Sequence, residues 1–292
     1  MMLKYIFYPG CYISTMLPHV EAAIRFILKK FNIETIELED LSCCPPKINS
    51  IADELFWLTV AVRNLAIAES KGLDILTPCN GCFESFFEAR MMYMEGKDLR
   101  EKVSNILSKL GYKFEGKIKP KHLIEVLYED VGLEKIKENI VKSLNGLRVA
   151  VHYGCHLFVV EHGEDVWKKP KMTDELIKIT GAELVKDELE RLCCGFVPST
   201  VDDVFSLTYR TEVRLKSVKE LGVDALVTPC PQCLMRLEFG QVRLRAKARY
   251  DVPIIHLAEL LALALGLDPK KFGFTVYHKS PTKLILQKIG LG

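Results

Sequence analysis

The stretch Leu73-Asp74-Ile75-Leu76-Thr77-Pro78-Cys79 returns later in the chain as Val223-Asp224-Ala225-Leu226-Val227-Thr228-Pro229-Cys230. Each copy runs on into a C-x-x-C, closed by Cys82 and by Cys233. A short apolar run with an aspartate in front and a proline behind reads as a buried strand, and the cysteine pair follows its carboxyl end. Working outward, Phe7-Tyr8-Pro9-Gly10-Cys11 is answered by Val151-His152-Tyr153-Gly154-Cys155, and Cys43-Cys44 by Cys193-Cys194. The two sets are Cys11, Cys43, Cys44, Cys79, Cys82 and Cys155, Cys193, Cys194, Cys230, Cys233, which use all ten cysteines. Matching order and matching flanks identify an internal duplication.

The same periodicity reading extends to the rest of each half. Leu3–Tyr8, Glu34–Leu38 and Asp74–Leu76 read as strands, and Glu21–Phe31 and Leu55–Ser70 as amphipathic helices, with Gly72 closing the second. In the second half Arg148–Tyr153 and Ala225–Thr228 read as strands. Pro170–Thr180 and Asp203–Leu221 read as helices ending at Gly181 and Gly222. Alternation of strand and helix predicts parallel α/β units. The fold class expected is therefore α/β, as two similar Rossmann-like domains. Residues 1–145 form the first domain with a helical connector, and residues 146–292 the second. The connector, Met91–Leu144, reads as two helices with a surface turn at Glu115-Gly116-Lys117-Ile118-Lys119-Pro120.

A chain of 292 residues with 49% hydrophobic residues can build two cores. Its net charge of +2 argues against a nucleic-acid partner. The opening Met1–Gly10 does not read as a signal peptide. The most apolar stretch, Leu257–Leu267, contains Glu259 and is too short for a membrane span. A cytoplasmic protein is expected, and in a reducing cytosol clustered cysteines point to metal or redox chemistry rather than disulfides.

Adjacent cysteines pair with each other only under strain, which counts further against disulfides. A zinc ribbon joins two C-x-x-C units a few tens of residues apart, whereas here the units lie in opposite halves and Cys43-Cys44 would go unexplained. A dithiol redox motif uses two cysteines of each five. Iron–sulfur clusters use thiolates, four to a cubane, so five per site leaves either a spare thiol or an unusual cluster. Zinc at one of the two sites is the alternative. No G-x-G-x-x-G follows a strand, so any flavin or pyridine nucleotide would sit on a partner.

The repeated pattern with Cys193-Cys194-Gly195 resembles the cysteine-rich CCG domain. Several further segments make the chain similar to the B subunit of heterodisulfide reductase from methanogenic archaea. They are Ala61-Val62-Arg63-Asn64-Leu65, Cys79-Asn80-Gly81-Cys82, Glu125-Val126-Leu127-Tyr128-Glu129-Asp130-Val131-Gly132, His152-Tyr153-Gly154-Cys155-His156 and Leu265-Gly266-Leu267-Asp268-Pro269. The resemblance implies two noncubane [4Fe-4S] clusters, each held by one set of five cysteines. It implies a small-molecule disulfide substrate between them, that of coenzyme M and coenzyme B, reduced to two thiols in methanogenesis. It also implies partners from heterodisulfide reductase: the iron–sulfur C subunit and the flavin-containing A subunit, with a hydrogenase or formate dehydrogenase behind them. His156, beside Cys155, is the candidate proton donor, since imidazole titrates near neutral pH.

Two loops depart from the family pattern. Phe196-Val197-Pro198-Ser199-Thr200 stands where a glycine-rich run is usual, and Pro45-Pro46-Lys47-Ile48 where Pro-Ala-Pro-Gly is usual. Both should lie beside the clusters and reshape the substrate pocket. A paralogue acting on another disulfide, or an electron-transfer subunit of another CCG oxidoreductase, is therefore kept as an alternative. Leu234–Tyr250 is a basic helix whose Arg236, nearest Cys233, is a candidate for an anionic substrate; a solvated face is the plainer reading. Phe83, Phe86, Phe87, Met91 and Met94 read as core packing. His19, His122, His162, His256 and His278 show no ligand spacing and receive no role.

Overall fold

The apolar runs become the central strands of two sheets. The computed structural model describes residues 2–292. In the first half β1 (Lys4–Phe7), β2 (Glu34–Ile36), β3 (Ile75–Thr77) and β4 (Pro120–His122) form a parallel sheet in the order β2-β1-β3-β4. In the second half β5 (Arg148–Val151), β6 (Glu183–Val185), β7 (Ala225–Thr228) and β8 (Ile254–His256) repeat it as β6-β5-β7-β8. β3, β7 and β8 are buried along their whole length, as strands covered on both faces must be. The edge strands β2 and β6 are only partly covered, which is why they carry Glu34 and Glu183.

The chain leaves β1 to one side for β2 and returns to the other side for β3. The carboxyl ends of β1 and β3 thus flank a switch point, where open α/β sheets bind ligands. Cys11 follows β1, Cys43 and Cys44 follow β2, and Cys79 and Cys82 follow β3. The second half places its five cysteines the same way after β5, β6 and β7.

The halves interlock. Helix Pro18–Lys30 buries Val20, Ala23, Ile24 and Ile27, and packs against helix Leu257–Ala264 of the other half. The counterpart helix Lys168–Lys178 packs against Leu123–Glu125 of the first half. One hydrophobic core consequently runs from Phe7 and Ile24 to Val149, Val227 and Leu260. A smaller core around Trp57, Leu65 and Phe86 belongs to the first half alone.

Most expected elements are found within two or three residues of their expected ends, and the α/β class holds. The connector differs from the expectation. Helices Asn80–Glu95 and Lys97–Lys109 occupy its start, but Pro120, expected in a surface turn, begins β4, and residues 123–138 are helical. A three-residue strand with Lys121 at its centre is too short to show an alternation. The Asp203–Leu221 helix contains a π-helical turn at Leu207–Thr211. Among the described residues no helix is long and apolar enough to cross a membrane.

The end of β5, which aims the Cys155 loop, is fixed from beneath. Fully buried Arg214 donates to both Asp187 oxygens at 2.7 and 2.8 Å and to the Val151 carbonyl at 2.8 Å. Removing one member of a buried pair strands the other charge. Arg214→Leu is expected to destabilise the fold by about 3–5 kcal/mol, read as a lowered urea midpoint; an unchanged midpoint would show that Asp187 finds another partner.

Candidate metal centre

Each C-x-x-C sits at the start of a helix. Cys79 caps helix Asn80–Glu95 and Cys230 caps helix Pro231–Leu244. The positive end of each helix dipole therefore faces thiol sulfur, which favours thiolate. The loops are held by matching bonds, the Cys79 amide to Thr77 Oγ1 at 3.4 Å and the Cys230 amide to Thr228 Oγ1 at 3.3 Å.

The Cys-Cys loops are anchored differently in the two halves. Asn64 accepts from the Ser42 amide at 3.0 Å and donates to the Ser42 carbonyl at 3.1 Å. Trp57 Nε1 and Ser85 Oγ both donate to the Pro45 carbonyl, at 2.9 and 2.7 Å. Tyr8 Oη accepts from the Cys44 amide at 2.6 Å and donates to the Ser42 carbonyl at 2.8 Å. In the second half Thr211, delivered by the π-helical turn, donates to the Cys194 carbonyl at 2.8 Å, and Ser206 donates to the Gly195 carbonyl.

Arg236, the candidate for substrate, braces that second loop from behind. It donates to Thr211 at 3.0 Å, Ser206 at 3.0 Å and Asp203 at 2.8 Å. Its guanidinium is taken up by these partners, and it is not among the residues lining the cysteine cavity. Arg243 and Lys247 on the same basic stretch pair with Asp203 and Glu212.

The ten thiols are free and gather in two groups of five. Their protonation is linked in sequence, Cys11, Cys43, Cys44, Cys82 and Cys79 in the first half to Cys230, Cys233, Cys194, Cys193 and Cys155 in the second, each shifting its neighbour. The Cys44 and Cys82 sulfurs are 2.8 Å apart. In each half three cysteines are buried (Cys44, Cys79, Cys82; Cys194, Cys230, Cys233) and two stand at a more open rim (Cys11, Cys43; Cys155, Cys193). Crowded thiols compete for protons. Hydrogen bonding to Cys44 and burial push Cys43 well up, and hydrogen bonding to Cys193 and burial push Cys155 well up. Hydrogen bonds from Cys155 and Cys194 bring Cys193 down to about 2. Such a set becomes fully anionic only around cations.

The backbone makes room for this. Gly10 and Gly154 both take φ +79°, and a Cβ on them would meet Cys82 Sγ at 3.0 Å and Cys233 Sγ at 3.1 Å. Five convergent thiols, one helix N-terminus and a glycine cradle fit iron–sulfur ligation in each half.

The first set opens on a cavity of ≈350 Å³ whose far wall comes from the second half: His156, Phe196, Val197, Thr200, Pro231 and Gln232. The second set surrounds a void of ≈10 Å³, also walled by His156, Phe196 and Val197. Both departing loops thus lie beside the cysteines as expected, Pro46 and Ile48 on one side and Phe196 and Val197 on the other, with Tyr12 edge-on to Phe196 at 5.3 Å. His156 stands between the sets, its Nδ1 against a Glu84 carboxylate oxygen from the first half. Burial lowers its pKa, but the hydrogen bond and charge of Glu84 outweigh burial and raise it above the ordinary histidine value.

Sequence reasoning missed Glu84 and His152. Glu84 sits two residues beyond Cys82 on the helix, where only the contact across the halves reveals its partner. His152 is fully buried with a ring nitrogen within 4.8 Å of the Cys194 and Cys233 sulfurs. Its signal lay in the repeat, because Tyr8 and His152 hold the same place: their amides donate to Leu76 and Val227 carbonyls, each at 2.8 Å.

Fold and site together define a duplicated α/β protein with a set of five convergent thiols in each half. A family model described as the cysteine-rich domain, CCG, matches residues 5–87 and 149–238. A protein of Archaeoglobus profundus, named as similar to the B subunit of heterodisulfide reductase, is 37% identical, over 92% of this chain and 93% of that one. The B subunit of a ferredoxin/F420H2-dependent CoB-CoM heterodisulfide reductase, from Methanosarcina acetivorans, is 32% identical, over 93% and 92%. The 8-methylmenaquinol:fumarate reductase membrane anchor subunit of Wolinella succinogenes is 31% identical, over 97% and 100%. A solved structure, a hypothetical protein from Helicobacter pylori, superposes with a TM-score of 0.74 at 13% identity. It covers 94% of this chain and 51% of that one, and so supports the fold. The chain belongs to the CCG cysteine-rich family, in the duplicated form of the heterodisulfide reductase B subunits. It is an iron–sulfur oxidoreductase component of a multisubunit reductase.

The glycine cradle gives a test of the site. Gly10→Ala and Gly154→Ala should each lower bound iron by about half, through the strained φ and the contact with sulfur. Gly72→Ala, at φ +66° with nothing within 4 Å of the added carbon, should keep its iron. Equal iron in all three would sink the cradle argument.

Proposed function

We propose that this chain is the disulfide-reducing subunit of its complex and cleaves the coenzyme M–coenzyme B heterodisulfide, or a close relative of it, in the cytoplasm of a methanogenic or related archaeon. The observation that carries the reading is the cavity: five cysteines of one half face His156, Phe196 and Val197 of the other across space for a small molecule. A pocket that joins the first cysteine set to His156, Phe196 and Val197, the same residues that wall the second set, supports a substrate bound between the halves.

Cleaving the bond consumes two electrons and two protons and releases two thiols. Bound noncubane [4Fe-4S] clusters, one per five cysteines, would supply the electrons, received from iron–sulfur and flavin partners fed by a hydrogenase or formate dehydrogenase. The chain's own residues do the rest. Ile48, Phe196 and Val197 exclude water from the S–S bond. Glu84 favours the charged form of His156, so the imidazolium holds a proton for a departing thiolate. Arg236 keeps the Cys194-Gly195 loop in place through Thr211 and Ser206.

A second reading has its own support. The Wolinella relative is named for a quinol:fumarate reductase, so the same scaffold also serves where the named substrates contain no disulfide. On that reading the chain relays electrons and the cavity binds no disulfide. Turnover of the heterodisulfide with a reduced viologen dye separates the two, since a relay shows none.

Iron, acid-labile sulfide and zinc measured on anaerobically purified protein should give about eight irons per chain, as two four-iron clusters require, falling in Cys44→Ala and in Cys194→Ala. Four irons with zinc in the other cysteine set would leave one cluster and overturn the paired mechanism.

His156→Gln should lower disulfide reduction by about 10²- to 10⁴-fold, the usual range for a general acid. The pKa of His156 is raised, so its proton is present at low pH and lost as pH rises through that raised value. Glu84→Gln should therefore move the alkaline limb of the pH–rate profile to lower pH; a profile identical to wild type would remove the pair from the reaction.

A further inference from the structure

A second constellation lies away from the cysteines. His19, at the start of helix Pro18–Lys30 in the first half, meets Glu259 and His278 of the second, and one ligand atom from each lies within 4.8 Å of the others. All three side chains are shut off from solvent. His278 Nε2 is 3.0 Å from Glu259 Oε1, and its Nδ1 is 3.0 Å from Glu238 Oε1. Glu259 Oε2 accepts the His256 amide at 2.8 Å. Glu238 is held in turn by the Ser280 amide at 2.9 Å and the Ser280 hydroxyl at 2.5 Å.

An imidazolium clamped between two carboxylates would account for His278. It leaves His19 unexplained: neither ring nitrogen has a hydrogen-bond partner, although the residue is fully buried. A buried polar group without a hydrogen-bond partner is costly, and the ring contacts of His19, stacked on Tyr277 and edge-on to His278, leave both nitrogens unsatisfied. We propose that His19, His278 and Glu259 bind a divalent first-row metal of the zinc class, tying the two halves and the segment around His278 together.

The outer contacts are those a metal site uses. A metal-bound histidine donates its other ring N–H to a carboxylate, and a ligating carboxylate is itself hydrogen-bonded. Glu238 takes that place for His278, and the His256 amide does so for Glu259. Two histidines and one carboxylate leave a fourth position to water, as in other zinc sites with two histidines and a glutamate. The site contains no cysteine, so it stands whether or not the cysteines hold clusters.

The test uses the full-length protein, purified anaerobically and equilibrated with one equivalent of zinc. Tightly bound zinc should be retained, and its K-edge absorption should show nitrogen and oxygen at about 2.0–2.1 Å with no sulfur shell near about 2.3 Å. His19→Leu should lose this zinc and keep the wild-type iron content, while Cys44→Ala and Cys194→Ala should keep the zinc. Because His19 makes no side-chain hydrogen bond, its replacement breaks none, so His19→Leu remains decisive even if His278→Gln fails to fold. No retained zinc, a sulfur shell, or zinc unchanged in His19→Leu would each overturn the proposal.

Discussion

The crowding of thiols, five gathered in each half with the Cys44 and Cys82 sulfurs 2.8 Å apart, is the constraint on which the rest of the molecule turns. Six of the ten cysteines are buried, and a buried thiolate is costly without a cation. The folded chain has met this with two helix N-termini aimed at the sulfur and with glycines where a side chain would intrude. The parallel sheets follow from the same need. The carboxyl ends of neighbouring strands at a switch point bring residues so distant in sequence to one edge.

The two halves share a plan and differ in detail. Tyr8 commits its hydroxyl to the backbone of the first Cys-Cys loop, while His152, in the same place, keeps both ring nitrogens unbonded beside Cys194 and Cys233. Burial and the nearby Arg214 push its pKa down to about 3, so it is a neutral imidazole. It faces sulfur with either a lone pair or an N–H. Nor are the rims alike, since one opens on a cavity and the other closes on Phe196 and Val197. Duplication supplied two equal sites, and substitution at single matched positions has made them chemically distinct.

Much of this is legible in the amino-acid order alone. The repeat gives the order of both cysteine sets, the apolar runs give the central strands, and the departing loops lie beside the cysteines, where their positions in the repeat place them. β4 and β8 are harder to see, because three residues carry no period. A signal is nonetheless present in His122-Leu123-Ile124-Glu125 and His256-Leu257-Ala258-Glu259. In each, a histidine Nδ1 accepts an amide of the following helix, and the glutamate three residues on accepts the histidine amide. Long-range pairs such as Glu84 with His156, or His19 with His278, leave no trace in local spacing. Each partner is placed by a different half, so the packing of the halves decides who meets whom. Arg236 shows the converse. Proximity to Cys233 in sequence suggests a ligand, but the helix turns that side chain toward Thr211 and Asp203.

The crossed helices carry a consequence for how the molecule is made. Helix Pro18–Lys30, whose Val20, Ile24 and Ile27 are buried, packs against Leu257–Ala264, a segment translated late. Chains grow from the amino end at about 5–20 residues per second, so the part of that face which meets Leu257–Ala264 waits many seconds for its cover. The first five cysteines are likewise translated by Cys82, yet their wall of His156, Phe196 and Gln232 arrives long afterwards. Nascent thiols therefore wait unenclosed, open to oxidation and to stray metal. The enclosure of the early cysteines is thus tied to the folding of the late half, which supplies the wall that closes over them.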